Sequence, residues 1–271
     1  MYLALPALLF DIMAKMPWRM LDQPAFIAAF GIGAAVIFLL TLVVRLMQAR
    51  HLADASIDGL NAAYPNTGFV GLPLCLLAFG KESLAPALIA TIVTVCVLFA
   101  VVIVLIEVGL QTGKHIAATL GRVAKSLVKN PLLIVPLAGA SLSGSGAHVP
   151  EGAEALLKLL GGAASPCALV ALGLFLGAKG EARDIRTTGV LVGLKLLAQP
   201  LLTWWLAFHL FGLPPPLWSK TAVILSALPT GTGPFMLAEF YRREGGVTSG
   251  TILFSTMLSL VTVTLCLTVM L

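Results

Sequence analysis

Charge is what this sequence has least of. Only 11% of its 271 residues are Asp, Glu, Lys or Arg, and 59% are hydrophobic. Soluble globular chains carry about 25% charged residues, so a water-facing surface could not be covered here. A mean hydropathy of +1.01 makes lipid the matching solvent. The four cysteines, Cys75, Cys96, Cys167 and Cys266, lie in apolar runs with no CxxC or metal-ligand spacing, and read as small hydrophobes. His51, His115, His148 and His209 are scattered, so neither a metal nor a cofactor site is expected. Phosphate-binding loops, HExxH and nucleophile-elbow motifs are missing, which argues against an enzyme. The net charge of +5 sits in short gaps between apolar runs. There is no basic stripe with interleaved aromatics, so nucleic acid is excluded as a partner. The first residues have no basic region or small-residue cleavage site and do not read as a signal peptide.

What is present is a succession of apolar segments: 1–14, 25–47, 59–80, 86–108, 130–146, 151–178, 187–211, 220–241 and 248–271. About 20 apolar residues cross the hydrocarbon core as a helix, and fewer suffice where a helix is broken. The expectation is an all-α, multi-pass protein with nine helices. Alternate connections hold Arg45 and Arg50; Lys114, Arg122, Lys125 and Lys129; Lys179, Arg183 and Arg186; and Arg242 with Arg243. The opposite set holds fewer: Lys15, Arg19, Lys81, Lys158 and Lys220. Basic residues favour the cytoplasm, which puts the first set inside and the C-terminus outside. Residues 151–161 read as an amphipathic lead-in, with Glu154 and Lys158 at i,i+4 spacing.

A weak repeat runs through the chain. Ala4-Leu5-Pro6-Ala7-Leu8-Leu9 parallels Ala164-Ser165-Pro166-Cys167-Ala168-Leu169, and Tyr64-Pro65-Asn66-Thr67-Gly68-Phe69 parallels the stretch from Leu228 to Phe235. The paired motifs lie a nearly constant distance apart, and the charge pattern makes them run in opposite directions. This is the signature of an inverted repeat, with residues 1–108 as one copy, 109–129 a cytoplasmic loop and 130–271 the other. Inversion needs an odd number of spans per copy. The second copy has five and the first four, so one helix is expected to be missing before Met1.

Two segments are broken at matching places. Pro65, Gly68, Gly71 and Pro73 interrupt one, and Pro229, Gly231, Gly233 and Pro234 the other. Proline removes a helix hydrogen bond and clashes with the preceding turn. Non-helical backbone at membrane depth survives only inside protein or beside a watery cavity. Paired breaks therefore mark a midplane substrate site. Half-helix N-termini there present free N–H groups and partial positive charge, suited to a carboxylate. Pro65, Asn66, Thr67, Gly71, Pro73, Pro229, Thr230, Gly231, Thr232 and Pro234 are the candidate substrate-binding residues. Intramembrane charge is costly and marks functional paths. Lys195 and Asp11 are thus candidates for coupling or charge pairing, whereas Glu107 and Glu239, at helix ends, are expected to be solvated.

The run Tyr64-Pro65-Asn66-Thr67-Gly68-Phe69-Val70-Gly71-Leu72-Pro73-Leu74 resembles the first break of the auxin efflux carrier family, which includes plant PIN carriers and bacterial malonate-type carriers. Leu228-Pro229-Thr230-Gly231-Thr232-Gly233-Pro234-Phe235 resembles the second break. Leu3-Ala4-Leu5-Pro6-Ala7-Leu8-Leu9-Phe10, Ala171-Leu172-Gly173-Leu174-Phe175-Leu176 and Lys195-Leu196-Leu197-Ala198-Gln199-Pro200 follow in order. The resemblance implies ten helices in two inverted five-helix repeats, akin to the bile-acid symporter fold. It also implies a scaffold domain and a transport domain with two crossed broken helices, moving elevator-fashion. Asn66 matches the asparagine that contacts the substrate carboxylate. The absent long central loop fits a bacterial inner-membrane carrier of a small organic anion, such as malonate or an auxin-like acid. Proton or sodium coupling and a homodimer remain open, as do a sodium-coupled bile-acid-type symporter and a non-transporting receptor or scaffold.

Overall fold

The computed structural model describes residues 3–15, 22–110, 131–147, 149–177, 184–213 and 216–270. Lys114, Arg122, Lys125, Lys129, Lys179 and Arg183, and most of the 109–129 loop, lie outside the described residues. The described residues form helices α1 (Ala4–Ala14), α2 (Pro24–Met47), α3 (Leu52–Ala63), α4 (Thr67–Phe79), α5 (Lys81–Gly109), α6 (Pro131–Gly144), α7 (Glu151–Gly177), α8 (Ile185–Leu210), α9 (Pro216–Ala227), α10 (Gly233–Tyr241) and α11 (Gly245–Met270). Four of them, α2, α5, α8 and α11, are long and apolar enough to cross a membrane unbroken. The protein is a multi-pass, nearly all-helical membrane protein. Its outward face is apolar, as lipid contact requires: on α2, Val36, Leu39, Leu40 and Val43 are exposed.

The segments expected at 59–80 and 220–241 each consist of two half-helices, α3 with α4 and α9 with α10. Local chemistry sets their limits. His51 Nδ1 accepts from the Ala53 N–H (3.2 Å) to start α3, and Pro65 ends that helix because it has no N–H to continue the ladder. The second pair stops at Leu228 and Pro229 and restarts at Gly233, with Pro234 in the first turn of α10, where the missing N–H costs nothing. Asp184 starts α8 by accepting from the Thr187 N–H (3.0 Å) and hydroxyl (2.5 Å). Those bonds hold its carboxyl below the usual range. The wide turn at Leu194–Ala198 accommodates Pro200, which leaves the Leu196 carbonyl without its helical donor.

The helices pack in two groups. α1 lies against α6 and α7, and the remaining helices pack mainly on one another. α1 thus packs with helices that follow residue 130. Gly139 allows α6 to approach α1 closely: an added Cβ would lie 2.7 Å from the Phe10 carbonyl. At the edge of this group Glu154 pairs with Lys15 (3.1 Å) and Lys158 (2.8 Å). The 151–161 stretch is the first part of α7, which runs continuously from Glu151 to Gly177.

Charged side chains gather at one end of the larger group. Arg45 donates to Asp58 (2.6 Å) and to Thr187 (3.2 Å). Arg243 donates to Asp54 through two bonds of 2.5 and 2.8 Å, and Arg50 pairs with Glu244. The carboxylate of Asp54 pushes the Arg243 pKa above its ordinary value. These contacts bring the end of α2, the starts of α3, α8 and α11, and the end of α10 to one side, as the charge alternation predicted. Glu107 departs from expectation. It is 8% exposed and accepts from the Tyr241 hydroxyl (2.8 Å), because α10 folds over the end of α5. Glu239 is exposed, as expected.

Candidate substrate site at the crossing of the breaks

The two unwound segments meet. The Asn66 N–H donates to the Pro229 carbonyl (2.9 Å) and the Gly231 N–H to the Tyr64 carbonyl (3.0 Å), so Pro65 and Thr230 form an isolated antiparallel bridge. Backbone groups freed by the prolines thus satisfy each other, which is the condition for broken helices to persist away from water. The Thr67 N–H turns back to the Pro65 carbonyl (2.8 Å), and the Asn66 carbonyl takes the N–H groups of Val70 and Gly71. A wide turn at Thr67–Gly71 opens α4.

Beside the crossing is a cavity of about 190 Å³. Leu8 and Ile12 of α1 form one wall and Thr91 and Val95 of α5 another. The crossing itself contributes Tyr64, Pro65, Asn66, Thr67, Gly231, Thr232 and Gly233. Among the described residues none that lines it carries a formal charge. Positive potential there comes from backbone, because α4 and α10 both begin at the cavity with their N-terminal ends. Among the described residues the Asn66 side-chain amide makes no hydrogen bond, although Asn66 precedes a helix and could have capped it. The Thr67 hydroxyl is buried without a partner. An unsatisfied buried polar group costs about 1–3 kcal/mol, which makes the Thr67 hydroxyl a candidate ligand contact; the half-buried Asn66 amide is open to the cavity.

The structure brings together Pro65, Asn66, Thr67, Gly231 and Thr232 from the candidate set. The other five do not line the cavity. Gly71 is packed behind it, where an added Cβ would lie 2.7 Å from Leu225 Cδ2; Pro73 is exposed on the outer face of α4. Pro229 offers its carbonyl to Asn66. Thr230 gives its hydroxyl to the Asn61 carbonyl (2.9 Å) and its N–H to Ser255 Oγ (3.1 Å). Pro234 is buried in the first turn of α10. A helical turn can aim only part of its circumference at one cavity, and the bridge consumes the groups at its centre. Asp11 also lies away from the lining: it pairs with Lys15 one turn on, while Leu8 and Ile12 of the same helix face the cavity. Lys195 is fully buried elsewhere and donates to the Ser226 carbonyl (2.7 Å).

Tyr64 was missed as a site residue. It is 6% exposed, lines the cavity and lies against Phe99, with ring centroids 6.0 Å apart. Among the described residues its hydroxyl has no hydrogen-bond partner. The ring fills the space over the second break: a Cβ added at Gly233 would lie 2.5 Å from Tyr64 Cζ. The pairing of Tyr64 before one break with two glycines in the other was the available signal.

Apolar spanning helices with two crossed half-helix pairs define a class, multi-pass membrane proteins. The sequence matches the family described as Membrane transport protein over residues 1–267. The chain belongs to that family, the one the two proline breaks resemble, and is a transporter rather than an enzyme by that membership. It is 33% identical over 265 residues to a Rhizobium meliloti (strain 1021) protein named "Putative malonate transporter", covering 97% of this chain and 82% of that one.

Proposed function

We propose that this protein carries a small organic anion with a carboxylate, of the malonate or auxin-like kind, across a bacterial inner membrane by elevator-type alternating access. The observation that carries this reading is the pairing of the unbonded Asn66 amide with two half-helix N-termini at a cavity that, among the described residues, has no charged side chain in its lining. A carboxylate supplies the acceptors which Asn66, Thr67 and the opening turns of α4 and α10 lack. A cation finds no acidic partner in that lining, which speaks against a sodium-coupled bile-acid-type symporter. The name of the Rhizobium relative points the same way.

The two helix groups support the mechanism. α1, α6 and α7 act as a scaffold; the crossing and its neighbours are the moving body, and the cavity opens along their boundary at Leu8 and Ile12. An inverted repeat of 1–108 and 130–271 accounts for the antiparallel bridge of Pro65 with Thr230. The clustering of Arg45, Arg50 and Arg243 at one end makes that end cytoplasmic, with the C-terminus outside. The scaffold face is also where a second protomer would bind, since Ile134 and Leu137 of α6 are exposed.

Uptake of labelled mono- and dicarboxylates into proteoliposomes, with and without proton and sodium gradients, tests the proposal. Saturable, Asn66-dependent uptake of a carboxylate is expected. Protein that binds a carboxylate in detergent yet gives no flux under any gradient would make it a receptor instead.

A further inference from the structure

Among the described residues the cavity beside the crossing is polar at one pole only. Its free donors belong to the breaks. Asn66 and Thr232, which precede α4 and α10, do not spend their side chains on capping. Thr67 is 1% exposed and its hydroxyl has no partner among the described residues. The bridge between Pro65 and Thr230 brings the starts of both half-helices together, so they can serve one anion. The other walls are apolar. Leu8 and Ile12 lie one turn apart on α1, and Leu88 and Val95 two turns apart on α5. All four are only half-buried, which leaves apolar surface uncovered beside the cavity. Thr91, between Leu88 and Val95, adds no donor. Its hydroxyl is spent on the Ala87 carbonyl (2.8 Å), and a Cβ added at Gly68 would lie 3.7 Å from its Cγ2. Lys15, one turn beyond Ile12 on α1, is already held by Asp11 and by Glu154 (3.1 Å).

We infer that the preferred substrate is a monocarboxylate with a short apolar tail, its carboxylate at the breaks and its tail against α1 and α5, and that dicarboxylates such as malonate are weaker ligands. The inference rests on the proposed anion-carrier reading and names the substrate class of that site. One carboxylate finds Asn66, Thr67 and two half-helix N-termini. A second carboxylate lies against leucine, isoleucine and valine, where it sheds water and gains no partner. An alkyl group in the same place covers those side chains, and each buried methylene tightens binding about fourfold. The cavity volume of about 190 Å³ keeps the tail short.

The test compares malonate with isovalerate, which keeps the malonate skeleton and replaces one carboxylate by an isopropyl group. Melting temperatures of the purified full chain in detergent, at mildly alkaline pH, are read against the concentration of each acid. Isovalerate should bind roughly tenfold more tightly than malonate or better. Affinity should also rise about fourfold per methylene from acetate through propionate to butyrate. Leu88→Lys places a cation on the apolar wall and should reverse the order of malonate and isovalerate. Should that variant fail to fold, Leu88→Gln adds a neutral donor there and should narrow the gap. Malonate binding as tightly as isovalerate, or more so, would show each half-helix taking one carboxylate and would overturn the inference while leaving the anion-carrier reading intact. An isovalerate shift unchanged in Asn66→Ala, or a wild-type gap between the acids retained by the Leu88 variant, would also overturn it, because the acid would then lie elsewhere. If no carboxylate moves the melting temperature, the anion-carrier reading fails and takes the inference with it.

Discussion

At the first break, among the described residues, Asn66 keeps its amide unbonded beside the cavity and Thr67 buries a hydroxyl without a partner. At the second, Thr230 gives its hydroxyl to Asn61 and its N–H to Ser255, while Gly231 and Gly233 lie under the Tyr64 ring. Both breaks contain proline, glycine and threonine, and the backbone bridge treats them nearly alike. Their side chains do not. The first break holds chemistry in reserve, and the second provides the space and the anchorage that hold the first in place.

Asn66→Ala puts the largest strain on this contrast. Hydrogen bonds to a charged partner contribute roughly 1.5–3 kcal/mol, so malonate affinity should fall on the order of 10- to 100-fold. The melting temperature of the substrate-free protein should stay close to wild type, because the amide has no bond to lose. An early-melting variant with normal affinity would reassign Asn66 to capping the break.

Gly233→Ala tests the other side. The new Cβ would lie 2.5 Å from Tyr64 Cζ, and overpacking of this kind costs typically about 1–3 kcal/mol. Gly68→Ala at the first break meets nothing closer than Thr91 Cγ2 at 3.7 Å and should leave stability within about 1 kcal/mol, the ordinary cost of a surface-like change. Thermal melts of both variants in detergent read the difference. Equal losses would show the crossing to be equally tight on both sides.

The smallest effects separate the two threonines. Thr230→Val removes a buried hydrogen bond to Asn61 and leaves that carbonyl short of a donor, costing about 1–3 kcal/mol of stability with little change in the affinity of the folded fraction. Thr67→Val removes a hydroxyl that has no partner, so the empty protein should be as stable or slightly more so, while malonate binds several-fold more weakly. Reversal of the pair, with Thr67→Val unstable and Thr230→Val binding poorly, would exchange the roles of the breaks.

Much of this was legible in the chain. Low charge and long apolar runs dictated a multi-pass helical protein, because lipid satisfies no backbone group and leaves helix as the economical solution. Pro65 and Pro229 marked both breaks, since a residue without an N–H must interrupt a ladder wherever it falls. The alternation of arginine and lysine foretold which helix ends gather together. Sequence could not say which side of each broken turn faces the cavity. Gly71, Pro73, Pro229, Thr230 and Pro234 carry the same residue types as their neighbours, and only the crossing geometry turned them to packing or to the bridge. Tyr64 gains its place solely because the second break lies beneath its ring. Glu107 is buried because α10, far away in sequence, closes over it. Lys195 is the clearest instance. Its sequence position showed an ionisable group inside a helix, but its partner is the Ser226 carbonyl, whose helical donor, the Thr230 N–H, has turned to Ser255. Composition and proline placement act locally and can be read locally; hydrogen-bond partners across helices depend on which ends the fold brings within about 3 Å of each other.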